Sequence, residues 1–156
     1  MKIGIIGAGN IGGTLARKFV AAGHSVKLAG SKSPDSIREL AENIGAEPVA
    51  AVEAVKDVEV IVLSIPFAKI PEVAGLFSTV PAEVVVIDTS NYYPQLGTRI
   101  PEVDDGELES VWAREQLGRP IIKAFNAIIA KTLADGGKPA GTDNRIAIPV
   151  AGDSLA

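Results

Sequence analysis

Cysteine is absent from the 156-residue sequence, which excludes a disulfide framework, a thiol nucleophile and a cysteine-ligated zinc. His24 is the single histidine, so a multi-histidine metal site is excluded too, and no metal is expected. Aromatics make up 4% of the residues and apolar residues 47%, so the core has to be built from Ile, Val, Leu and Ala. The net charge is −4 and no basic stripe interleaved with aromatics is visible, a poor match for nucleic acid. No apolar run approaches the roughly 20 residues of a membrane span. The opening Met1-Lys2-Ile3-Gly4-Ile5-Ile6 enters an apolar strand at once, without a charged leader or cleavage site. A cytoplasmic protein without a membrane partner is the expectation. The length suits one domain, residues 1–156.

Short β-rich apolar runs alternate with segments of helical period. Strands are expected over residues 3–6, 25–29, 58–65, 83–88, 120–125 and 145–151, with a weak one over 47–49. Helices are expected over 10–22, over 34–44 behind Ser33 as N-cap, and over 51–56, 67–77, 108–117 and 128–134. Pro71 limits the regularity of the fourth of these. Residues 91–105 are polar and turn-rich and read as a long functional loop. The alternation predicts βαβ units in an α/β, doubly wound, mostly parallel sheet.

Gly7-Ala8-Gly9-Asn10-Ile11-Gly12 has the GxGxxG spacing. It follows an apolar strand directly and opens an amphipathic helix, the context in which the pattern cradles a dinucleotide phosphate. Gly7 allows the tight turn, Gly9 lets a pyrophosphate approach the backbone, and Gly12 lets the helix pack on the strand. Free N–H groups at the helix start carry about half a positive charge and face the phosphates. A Gly-rich turn without a ligand is the bland alternative, and Gly9 and Gly12 would each cost roughly 1 kcal/mol in a helix that needed neither. The fold expected is therefore the Rossmann NAD(P)-binding fold.

An NAD site usually ends its second strand in Asp or Glu, which binds the adenosine 2′-hydroxyl. Here the chain reads Lys27-Leu28-Ala29-Gly30-Ser31-Lys32-Ser33-Pro34. The carboxylate is missing, and Ser31, Lys32 and Ser33 offer two hydroxyls and an ammonium suited to a 2′-phosphate. NADP(H) is expected over NAD(H), with a moderate preference because Lys32 lacks the planar fork of arginine. A solvated turn, with Ser33 merely capping a helix, is the competing reading.

Ligands in this fold lie beyond the carboxyl ends of the strands. Those ends read Ser64-Ile65-Pro66-Phe67, Asp88-Thr89-Ser90-Asn91 and Lys123-Ala124-Phe125-Asn126. Ser64, Asn91 and Asn126 are candidates to hydrogen-bond the nicotinamide end, with Ile65, Pro66 and Phe67 as an apolar wall. Local capping by Ser64, Thr89 and Ser90 is the alternative. His24 reads as a structural turn residue far from this rim. Asp104, Asp105 and Glu107 read as a solvated acidic face, and Trp112 and Arg114 as packing and surface. Tyr92 and Tyr93 fit packing or a place on the substrate side equally well.

Assembled, these residues resemble the F-420-dependent NADP oxidoreductase family over nearly the whole chain. The carriers are Lys2–Gly12, Gly30-Ser31-Lys32, Ser64-Ile65-Pro66, Asp88–Asn91 and Lys123–Asn126. The resemblance implies NADPH at the glycine turn, phosphate selection at Ser31 and Lys32, and hydride exchange with a flavin or deazaflavin as co-substrate. Two aligned rings suffice for that chemistry, so no catalytic side chain is expected. Lys32 departs from the arginine that family members often carry.

Family members often run on past the seventh strand into helices that complete the pocket and a dimer interface. In this sequence Gly152-Asp153-Ser154 reads as a strand-to-helix turn with Asp153 or Ser154 as N-cap, followed only by Leu155 and Ala156. The expectation is a chain truncated at its C-terminus, with apolar sheet surface that a homodimer would hide. The other readings are an NADPH-binding module or sensor without turnover, and the nucleotide domain of a hydroxyacid or imine reductase lacking its substrate domain.

Overall fold

The computed structural model describes residues 1–152. Its strands are β1 (Lys2–Ile6), β2 (Ser25–Ala29), β3 (Glu47–Pro48), β4 (Val60–Leu63), β5 (Val85–Asp88), β6 (Ile122–Ala124) and β7 (Val150–Gly152). Its α-helices are α1 (Asn10–Ala21), α2 (Arg38–Ile44), α3 (Ala51–Ala54), α4 (Ile70–Val73), α5 (Pro101–Asp104), α6 (Glu109–Leu117) and α7 (Ala130–Asp135). The strands form one sheet in the order β3-β2-β1-β4-β5-β6-β7. All neighbours are parallel except β6 and β7, which run antiparallel. This is the doubly wound Rossmann arrangement, with the order reversing between β1 and β4. No helix among the described residues is long and apolar enough to cross a membrane.

Alternation along each strand divides the core between the two faces. Ile3 and Ile5 of β1, Val26 and Leu28 of β2 and Val62 of β4 are buried with Leu15, Ala16, Ala41 and Leu133 of α1, α2 and α7. Ile6, Ile61, Leu63 and Val86 are buried on the other face with Ala54, Ile70, Trp112 and Leu117 of α3, α4 and α6. Ile61 and Leu63 have no exposed surface. Burying each is worth about 1.5–3 kcal/mol. Gly4 falls on the α3 side, where a Cβ would stand 1.7 Å from the Ala54 carbonyl oxygen, so the short helix lies directly on the β1 backbone. Lys27 points the same way, and its ammonium caps that segment through the Glu53 and Lys56 carbonyls at 3.3 and 2.8 Å.

Several boundaries differ from expectation for local reasons. Pro34–Ile37 forms a 3₁₀ turn before α2, and Ser33 occupies the N-cap without a side-chain bond, its carbonyl instead accepting from the Ser36 hydroxyl at 2.7 Å. The helix expected over 67–77 is a 3₁₀ turn, α4 and a second 3₁₀ turn, Ala74–Thr79. Residues 91–105 are a partly helical segment rather than a structureless loop, holding a 3₁₀ turn at Pro94–Leu96 and α5, each opened by a proline. The Tyr92 hydroxyl ties that segment together, donating to Asp104 at 3.0 Å and accepting the Ile100 N–H at 2.9 Å. Asp104 is exposed, as expected of an acidic face, but it is paired. Arg99 binds it at 2.7 Å and holds its carboxyl below the usual carboxylate range. The seventh strand is only Val150–Gly152, because Pro149 has no N–H to give a ladder. Asp153 and Ser154, expected as a helix cap, lie outside the described residues.

Arg119 follows α6, and its guanidinium donates to the Pro81 and Val84 carbonyls at 3.0 and 2.7 Å. Among the described residues its Nε is the buried side-chain polar atom left without a partner, and burial pushes its pKa down. At the amino ends of the strands His24 lies 3.4 Å from the Met1 amine and beside Phe19, a structural turn residue remote from the carboxyl rim.

Candidate functional site

The carboxyl ends of β1, β2, β4, β5 and β6 open on one rim, since these strands run parallel. The β1–α1 turn is its centre. Gly7 has φ of +109°, and a Cβ there would sit 2.0 Å from the Ser64 carbonyl oxygen. A Cβ on Gly12 would sit 1.9 Å from the Gly7 carbonyl oxygen. These two glycines are required by the protein's own packing. Gly9 is different. It is the N-cap of α1 with φ of −76°, a conformation open to any residue, and a Cβ there would meet nothing within 4 Å. No side chain caps α1, whose first turn carries no acid. A glycine the fold does not need, at an uncapped helix start, leaves room where a pyrophosphate would lie.

Two cavities meet at this turn. One, of about 930 Å³, runs over Gly7 to Gly9 toward the end of β2 and is lined by Gly30, Ser31, Lys32 and Ser36. The other, of about 710 Å³, runs toward β5 and β6, with Asn10, Ile11, Phe67, Asn91, Phe125 and Asn126 in its lining. Both are lined by Gly9, Ser64, Ile65 and Pro66. The structure thus gathers Gly7, Gly9, Asn10, Ile11, Ser31, Lys32, Ser64, Ile65, Pro66, Asn91 and Asn126 around one trough. Gly12 stands behind it in the helix packing, and Ser33 lines neither cavity. Ser36, which the sequence did not single out, takes a place beside Ser31 and Lys32 because the 3₁₀ turn swings it back toward β2. Lys69 and Glu72, paired at 2.5 Å, form the opposite wall of the larger cavity. The residues present fit a dinucleotide: an open approach at Gly9, cationic and hydroxyl donors at one end, and a largely apolar chamber at the other.

The chamber is braced from beneath by a buried ion pair. Asp88 and Lys123 are register partners on β5 and β6. Asp88 has no exposed surface, the Lys123 side chain is 11% exposed, and their charged atoms are 2.7 Å apart. The ammonium also donates to the Ser90 carbonyl and lies 5.4 Å from the centre of the Phe67 ring. Phe67 in turn packs on Trp112 at 4.9 Å and Tyr92 at 5.9 Å. Tyr92 is therefore a packing residue, whereas Tyr93 lines the chamber. Asn91 and Asn126 face each other across the rim. The Asn91 amide donates to the Asn126 carbonyl at 2.8 Å, and the Asn126 amide returns a bond of 3.2 Å. Phe125, which precedes Asn126, holds a left-handed φ of +65°, a strained conformation that turns the chain out of β6 at the chamber wall.

A family model described as coenzyme F-420-dependent NADP oxidoreductase matches residues 2–92, from β1 through Tyr92. No curated protein sequence matches the chain. Among solved structures, the hypothetical protein SMa0349 of Sinorhizobium meliloti is 29% identical with a TM-score of 0.73, over 88% of this chain and 67% of that one. A candidate F-420-dependent NADP reductase from Arthrobacter sp. FB24 superposes with a TM-score of 0.75 over 99% of this chain and 75% of its own, at 18% identity. Glycerol-3-phosphate dehydrogenase of Saccharomyces cerevisiae is 25% identical with a TM-score of 0.61, and there the match takes in 88% of this chain and 45% of the enzyme. The matched segment carries the glycine turn, the Ser31-Lys32 turn and the β4 and β5 strand ends, and the chain belongs to the family of coenzyme F-420-dependent NADP oxidoreductases.

Proposed function

We propose that this chain binds NADP(H) extended along the trough and passes a hydride between its nicotinamide and a flavin, a deazaflavin or another small redox acceptor. The observation that carries this reading is the meeting of the two cavities at Gly9, Ser64, Ile65 and Pro66. Ser31 and Lys32, with Ser36, receive the 2′-phosphate, the α1 amides receive the pyrophosphate, and the β5–β6 chamber holds the nicotinamide. When bound, the cofactor supplies the hydride. The protein's part is to orient the ring and exclude water, through Ile11, Ile65, Pro66, Phe67 and Phe125. Among the described residues lining the chamber there is no carboxylate, imidazole, ammonium or guanidinium. That lining favours an acceptor that needs ring alignment rather than side-chain acid–base help, and speaks against a hydroxyacid or imine substrate within this domain.

The reading is tested by following loss of the reduced-nicotinamide absorbance under anaerobic conditions with a deazaflavin, a flavin, a ketoacid and an imine in turn. Turnover with the ring acceptors alone is expected. Turnover only with the ketoacid or imine contradicts the reading, and binding without turnover of any acceptor reduces the chain to an NADPH-binding module.

Lys32→Ala is expected to weaken NADPH binding and leave NADH binding unchanged. A charge-assisted hydrogen bond is worth about 1.5–3 kcal/mol. Lys32 is exposed, so the loss should fall at the lower end, about tenfold. Calorimetric titration of both cofactors checks it.

A further inference from the structure

The hydrogen bonds at the floor of the nicotinamide chamber give it a defined polarity. Asp88 faces the Lys123 ammonium, and an ionised carboxylate only accepts. The Ser90 hydroxyl, 2.7 Å from Asp88 Oδ1, must therefore donate its one hydrogen there, beside the Ser90 backbone N–H at 3.0 Å. Thr89 likewise donates its hydroxyl hydrogen to the Leu63 carbonyl at 3.3 Å. Asn91 commits its amide hydrogens to the Asn126 carbonyl at 2.8 Å and the Tyr93 hydroxyl at 3.2 Å. All three residues line the chamber. Thr89, Ser90 and Asn91 thus keep oxygen lone pairs for a ligand and no free side-chain hydrogen, the nearest free one being that of the Tyr93 hydroxyl, which itself accepts from Asn91, while the α1 side of the same trough presents N–H groups. The two sites ask for opposite things: an anion at α1 and a hydrogen-bond donor at the Ser90 hydroxyl oxygen.

We propose that Ser90 is a specificity-determining residue that accepts a hydrogen bond from the carboxamide N–H of the nicotinamide, its polarity fixed by the buried Asp88–Lys123 pair. The inference rests on the NADP(H) reading above. The nicotinamide carboxamide is the N–H donor at that end of the dinucleotide, and Ser90 is 8% exposed, so an unanswered acceptor there is poorly compensated by water.

The test is calorimetric binding of NADP⁺ and of its acetylpyridine analogue, in which a methyl replaces the carboxamide amine. The wild-type chain is expected to prefer NADP⁺ by at least about tenfold. In Ser90→Ala, which keeps the backbone N–H to Asp88, the two affinities should come within about threefold of each other. A wild-type ratio near one, or a ratio unchanged in Ser90→Ala, overturns the inference and leaves the NADP(H) site standing. No binding of either ligand overturns both. If Ser90→Ala does not fold, the wild-type ratio alone decides.

Discussion

Gly9→Val is expected to lose NADPH binding by about a hundredfold or more while the protein melts within a few degrees of the wild type. The two halves have separate physical grounds. A Cβ at Gly9 meets no protein atom within 4 Å and sits at a φ that any residue adopts, so the backbone accepts a side chain there. The same open space lies at the junction of the two cavities, where a pyrophosphate must come close to the α1 amides. An isopropyl group there displaces the phosphate from its donors. Gly12→Ala is the control. It belongs to the same motif, but its Cβ would press on the Gly7 carbonyl at 1.9 Å, so it should destabilise the apoprotein by about 1–3 kcal/mol or more. Thermal melts beside calorimetric titrations separate the two. Normal NADPH binding by Gly9→Val would remove the phosphate from this turn.

Lys123→Met is expected to be the most destabilising substitution at the rim, by about 3–5 kcal/mol. Met keeps much of the aliphatic packing under Phe67 but leaves the fully buried Asp88 carboxylate without its cation. The Ser90 carbonyl loses a donor at the same time. Since Ser90 and Phe67 both line the chamber, binding should weaken along with stability. Denaturant unfolding of Lys123→Met, of Asp88→Leu and of the double variant checks the pair. The double variant should regain part of the loss, because no charge is then left buried alone. A Lys123→Met protein as stable as the wild type would mean the pair holds nothing.

The parts of this protein read directly from sequence are those whose causes are local. β2 was legible to the residue, and α1 to its last turn, because strand alternation, helical period and Gly23 lie within a few positions of one another. The glycine turn was legible as a strand-to-helix turn, but which of its glycines the fold requires was not. That distinction depends on Ser64 and Gly7 backbone atoms brought in by tertiary packing. Distance in sequence hid the rest. Asp88 and Lys123 are 35 residues apart and each looked like one more polar strand end. Tyr92 was ambiguous until its hydroxyl proved to hold Ile100 and Asp104. Ser36 was unremarkable until the 3₁₀ turn set it beside Lys32 in the larger cavity. The short seventh strand follows from Pro149, in plain view within the run, and from an antiparallel partner, which an apolar run does not reveal.

Calorimetric titration of the wild-type chain with NADPH and with NADH decides whether the trough along Gly9 takes NADP(H) with its 2′-phosphate at Ser31 and Lys32. Saturable binding at one site per chain is expected, with NADPH tighter by about tenfold or more, the value of a charge-assisted bond to the 2′-phosphate. Equal affinities for the two cofactors, or tighter binding of NADH, would contradict it.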